Sequence, residues 1–122
     1  MRQGATALEV ALPESAERLL ARFTALLDRV EGELEAGGGE LLEVVTAFVE
    51  AEGEGLREDT VAVRQALEAM EPVERRAMEE RLGEAFLEAN RRWHGLRQRI
   101  AREYVEDANA IFQRVIQLNP AA

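Results

Sequence analysis

A chain of 122 residues with 47% hydrophobic and 32% charged content is long enough for one modest core and too apolar for wholesale disorder. It has no cysteine, and all 15 basic residues are arginine, so disulfides, thiolate metal sites, Schiff-base lysines and phosphate-loop lysines are excluded. The net charge of −9 resides in residues 1–70, with 15 acids against 6 arginines, while residues 71–122 carry 9 of each; such an excess disfavours nucleic acid and anionic membranes as partners.

Alanine, leucine, glutamate and arginine dominate, all good helix formers, and the expected fold is all-α. Arginine in place of lysine fits a GC-rich bacterial genome. Residues 1–12 read as a flexible tail: they lack the apolar centre of a signal peptide. No uncharged run approaches the roughly 18 residues of a membrane span, so a cytoplasmic protein is expected.

Pro13, followed by Glu14 and Glu17, suits the first turn of a helix. That first helix should run over about 13–36, with Ala16, Leu19, Leu20, Phe23, Leu26, Leu27, Val30 and Leu34 on its apolar face. Gly37, Gly38 and Gly39 end it, because glycine accepts the left-handed conformation of a C-terminal cap. A second helix is expected over about 40–70, its stripe built from Leu41, Val45, Phe48, Leu56, Val63, Leu67 and Met70. Gly53 and Gly55 each cost about 1 kcal/mol relative to alanine but leave the register intact. One helix, straight or kinked, is therefore expected, the alternative being a turn at 52–55.

Pro72 opens the third element. From Leu82 through Phe86, Ala89, Trp93, Leu96, Ile100, Tyr104, Ala108, Ile111 and Val115 to Leu118, apolar residues recur at a mean step of 3.6, the α-helical period. The spacing predicts one long helix over 72–118, stopped by Asn119 and Pro120. The expected architecture is an antiparallel bundle of three long helices in a single domain, 13–122. The alternative is a four-helix bundle folded back at Gly95.

A turn at 71–72 makes the second and third helices antiparallel, with facing residue numbers totalling about 143. Arg91, Arg92, Arg97, Arg99 and Arg102 then oppose Glu43, Glu50 and Glu52. Beside Trp93 this arginine block has the look of a nucleic-acid patch, but its acidic counterpart lies in the same chain, so internal pairing is the simpler account. The first helix should pair with the second at numbers totalling about 76, and it ends level with residue 103. Beyond that point the third helix would overhang by about 22 Å. The overhang carries Tyr104, Val105, Ala108, Ile111, Phe112, Val115, Ile116 and Leu118 as a partner-binding face, since an uncovered apolar patch of this size marks an interface. The expected partner is a helical protein client, or a second copy in a homodimer.

No catalytic, cofactor-binding or metal site is expected. His94, the only histidine, has no carboxylate or histidine three or four residues away. Ser15 and His94 could not form a triad of recognisable pattern, and the triple glycine lacks the lysine and hydroxyl of a phosphate loop.

The segments LLARFTALLDRVEGELEAGG, ELLEVVTA and ANRRWHGL resemble FlgN-type flagellar export chaperones, which have a leucine-rich first helix, a second helix and an Asn-rich segment opening the last. That resemblance implies a cytoplasmic chaperone that holds a helical client with its C-terminal amphipathic helix. A second resemblance, of LLEVVTAFVEAEGEGL and FQRVIQLNP, is to LemA-type proteins.

Overall fold

The computed structural model describes residues 11–118, so the expected tail, apart from Ala11 and Leu12, and the Asn119–Pro120 stop lie outside the described residues. Four helices follow in order: α1 (Glu14–Glu35), α2 (Leu41–Glu68), α3 (Pro72–Glu103) and α4 (Ala108–Leu118). No strand occurs among the described residues, as the composition requires.

α1 starts where Pro13 offers its carbonyl to the amides of Ala16 and Glu17, with Glu14 and Glu17 at the positive end of the helix dipole. It ends as expected. Gly37 and Gly38 take φ of 109° and 70°, and Gly38 donates to the Glu33 carbonyl at 2.7 Å. α2 runs unbroken through Gly53 and Gly55, so no turn forms at 52–55. Its last carbonyls, those of Leu67 and Glu68, accept from the Arg75 guanidinium at 2.9 and 3.5 Å, as does the carbonyl of Met70 in the following turn at 3.4 Å. One side chain in the first turn of α3 therefore satisfies the orphan groups at the end of α2 and fixes the tip at 69–71.

The expected 72–118 helix is corrected: it is two elements, separated at residues 104–107. Tyr104 leaves the helical region (φ −126°, ψ 47°), its carbonyl accepts from Asp107 and Ala108, and α4 starts afresh. The reversal is not at Gly95 either, which lies within α3. The physical reason is burial. Folding back brings Ile111 and Val115 to 0% exposure, and each large aliphatic removed from water is worth roughly 1.5–3 kcal/mol, far more than the few helical hydrogen bonds given up at the bend.

α1 packs against both α2 and α3, and α4 lies along α2. The ion pairs Arg22–Glu52 and Arg18–Asp59 fall on the expected antiparallel register of α1 and α2. The expected facing of α2 and α3 does not occur: beyond their shared tip they scarcely touch, because α1 and α4 occupy the space between them. Arg92 consequently pairs with Asp28 and Glu31 of α1, and Arg99 with Glu103 of its own helix. The core is one cluster centred on Phe23, Leu26, Leu27, Val45, Trp93, Ile100 and Ile111.

Candidate protein-interaction groove

The structure divides the eight residues expected to face a partner. Ala108, Ile111, Val115 and Leu118 are in the protein's own core, Tyr104 and Phe112 are half-buried, and only Val105 (73%) and Ile116 (46%) face outward. The overhang on which that surface rested does not exist in this structure. Phe112 stands edge-on to Trp93 with ring centres 6.1 Å apart, and the Arg97 guanidinium covers it at 5.1 Å. α4 is thus an amphipathic helix already seated in a groove between α2 and α3, floored by α1.

Leu118, the last described residue of α4, lies beside Val49, Gly53 and Leu56 of α2, where a cavity of about 540 Å³ opens. Past this level α2 continues for twelve residues after Leu56, to Glu68. On α2, Val49, Leu56, Val63 and Leu67 follow at steps of seven, seven and four, a single stripe. On α3, Trp93, Ala89, Phe86 and Leu82 make the matching stripe. Where α4 is present these positions are buried; beyond it, Val63, Leu67, Leu82 and Phe86 are only half-buried. In this part Met78, Ala16, Ser15 and Asp59 are the buried positions, two of them polar, so the apolar core is thin.

A second constellation lies on the opposite flank of α2. Asp59 is 6% exposed and accepts from Arg18 at 3.0 Å and from Arg22, which also donates to Glu52 at 3.0 Å. Burial pushes the Asp59 carboxyl up, but hydrogen bonds from the two guanidiniums outweigh it and hold the group below its ordinary range. On α3, hydrogen bonds to Glu31 and Asp28 push Arg92 up, and the same contact holds Glu31 down. These carboxylates are committed to arginines, an arrangement that sets helix register rather than one that leaves a group free for proton transfer.

Sequence reasoning missed Asp59, although its position on the α1-facing side of α2, seven residues after Glu52, was a signal. It also missed Tyr104, whose hydroxyl donates to the Gly37 carbonyl at 3.4 Å and so ties the 104–107 turn to the glycine loop. Trp93 keeps a buried indole N–H with no hydrogen-bond partner in the core. His94 is exposed and meets Gln98 at 3.3 Å. Among the described residues no group of acidic or histidine side chains is placed to hold a metal, and no helix is long and apolar enough to cross a membrane.

No protein-family model, no curated protein and no solved structure matches the chain.

Proposed function

We propose that this protein is a non-catalytic interaction module, a small cytoplasmic chaperone or adaptor, that receives an amphipathic helix of a protein client. The observation that carries the proposal is that, among the described residues, the apolar stripes of α2 and α3 run past the level of Leu118 and leave Val63, Leu67, Leu82 and Phe86 only half-buried. α4 itself defines what fits. Its buried residues, Ala108, Ile111, Val115 and Leu118, are spaced three, four and three apart, so the client segment is a short helix with aliphatic residues at that spacing. It would lie end to end with α4 on Val63, Leu67, Leu82 and Phe86. The resemblance of the first, second and last helices to FlgN-type chaperones points to the same class of activity, with the acceptor surface moved from the last helix to the groove.

The test is a titration of a fluorescein-labelled peptide with the sequence of residues 108–118 into the full chain, read by fluorescence polarisation. Saturable binding is expected, weakened at least tenfold by Leu67→Asp with Phe86→Asp and unchanged by Ile116→Asp on the outer face of α4. Equal binding to the groove variant, or none up to millimolar peptide, would sink the proposal.

A further inference from the structure

The bend between α3 and α4 falls on a segment that is itself competent to be helical. Residues 100–112 contain neither glycine nor proline, and the apolar spacing through Ile100, Tyr104, Ala108 and Ile111 stays in phase across the break. Nothing local to residues 104–107 demands a reversal. What holds it are the contacts made at either end: Tyr104 against the glycine loop, and the four buried aliphatics of α4 in the groove. Two packings therefore compete for one sequence, a bent form and a straight one in which 72–118 is a single rod. A straight rod leaves Ile111, Val115 and Leu118 in water unless another groove accepts them.

We propose that residues 104–107 are a hinge and that two copies of this chain exchange their α4 helices, each docking in the groove of the other. This inference does not depend on the client-binding reading. A second copy is the occupant because its groove is identical to the one α4 already fills, so every α4 contact is kept and only the connection changes. The topology permits it. α4 starts beside the 36–40 loop, at the end where α2 begins, and runs down α2 to Leu56. Straightening would therefore send α4 out of that end of the molecule, into a second copy placed end to end and inverted. The two rods would pass side by side at their hinges, covering Val105, which is 73% exposed in the bent form. Opposing the exchange are Glu103, Glu106 and Asp107, which would come close to their counterparts across a two-fold axis, and the loss of the Tyr104 contact. Concentration and salt consequently favour the exchanged dimer.

The absence of native cysteines allows a direct test with the full chain carrying Glu88→Cys and Gln117→Cys, both exposed positions, spin-labelled and diluted into excess unlabelled protein. In the bent monomer the two labels sit at the same level on neighbouring helices. In a straight rod they are 29 residues apart, about 43 Å at 1.5 Å per residue. Size exclusion at high protein concentration in 0.5 M NaCl (about 4 Å screening length) is expected to give a dimer whose intrachain distance is the long one. Val105→Ala with Asp107→Ala, which favours helix through the hinge and removes a favourable N-cap residue, should raise the dimer fraction several-fold; Val105→Gly with Glu106→Gly should lower it. A chain that stays monomeric under these conditions, or a dimer whose intrachain distance equals that of the monomer, overturns the proposal. Circular dichroism checks each variant, and the labelled chain with its native hinge decides the matter if a hinge variant does not fold.

Discussion

The hydroxyl of Tyr104 lies so close to Gly38 that a Cβ built on that glycine would overlap it. Gly38 is also held at φ 70°, so two independent demands, one conformational and one steric, meet at one residue. Gly37, at φ 109°, carries only the first, and Gly39 carries neither. Gly38→Ala should therefore be the most damaging of the three. The left-handed conformation alone costs about 1–2 kcal/mol for a residue with a side chain, and displacement of Tyr104 adds to it. Chemical denaturation should rank the alanine variants Gly38, Gly37, Gly39 in falling cost. Gly38→Ala combined with Tyr104→Ala should cost less than the two changes added together.

Asp59 makes the stability of the chain sensitive to acid. Its carboxyl titrates below its ordinary value of 3.8 in the folded state, so the stabilisation it provides is present above that value and is lost as pH falls through the lower, folded one. Glu31, held below its ordinary 4.5 by Arg92, adds in the same direction. Breaking one partner out of a buried ion pair costs roughly 3–5 kcal/mol. Here the Arg18 side chain is 52% exposed and Arg22 23%, so Asp59→Asn is expected to cost about 1–3 kcal/mol at pH 7. Urea midpoints measured from pH 7 down to pH 3 should stay apart as far as about pH 4 and begin to close only below 3.8, as the folded carboxyl takes up its proton. Parallel profiles would show that Asp59 is not linked to folding.

Much of this architecture was legible because local and global preferences agree. The apolar face of α1, the triple-glycine stop, Pro72 at the head of α3 and the α1–α2 register all follow from spacing and turn chemistry. The reversal at 104–107 was not legible, since Tyr104, Val105, Glu106 and Asp107 carry no breaker and the stripe that α3 turns inward is the stripe α4 turns inward after the bend. An unbroken period records which face is buried, not whether the rod is straight. The pairing of the α3 arginines failed for a related reason. Opposite charge identified a carboxylate partner within the chain, but Arg92 found it on α1, because α2 and α3 are kept apart by the helices between them. The candidate groove was hidden by the same reversal, which places α4 in the core and leaves Val63, Leu67, Leu82 and Phe86 half-buried among the described residues.

Within α4, neighbouring residues should differ sharply in what they contribute. Ile111 is fully buried, and Ile→Ala at such a site costs about 2–5 kcal/mol. Ile116 is 46% exposed, and Ile116→Ala should stay within about 0.5 kcal/mol of the parent. Ile111→Asp is expected to lower the thermal midpoint of the whole chain, because the helix it disrupts completes the core. A variant at Ile111 that kept full stability would mean that α4 is not docked in solution.

The helical glycines give a matched set. Gly53, Gly83 and Gly95 each lie within a helix where an added Cβ would meet nothing within 4 Å. Glycine there costs about 1 kcal/mol in conformational entropy relative to alanine, and each alanine variant should be more stable than the parent by about 0.5–1 kcal/mol. Gly55 is different. Its Cβ would come 2.5 Å from a terminal nitrogen of Arg22, which crosses the helix there on its way between Glu52 and Asp59. A flexible side chain ordinarily moves aside at little cost, but this one is tied at both ends, so moving it loosens two ion pairs. Gly55→Ala should gain nothing or lose stability, while Gly55→Ala in an Arg22→Ala background should recover the ordinary gain. Denaturation midpoints of these variants, with the Arg22→Ala single change as reference, read the difference directly; an equal gain at all four glycines would show that Arg22 does not hold the position described.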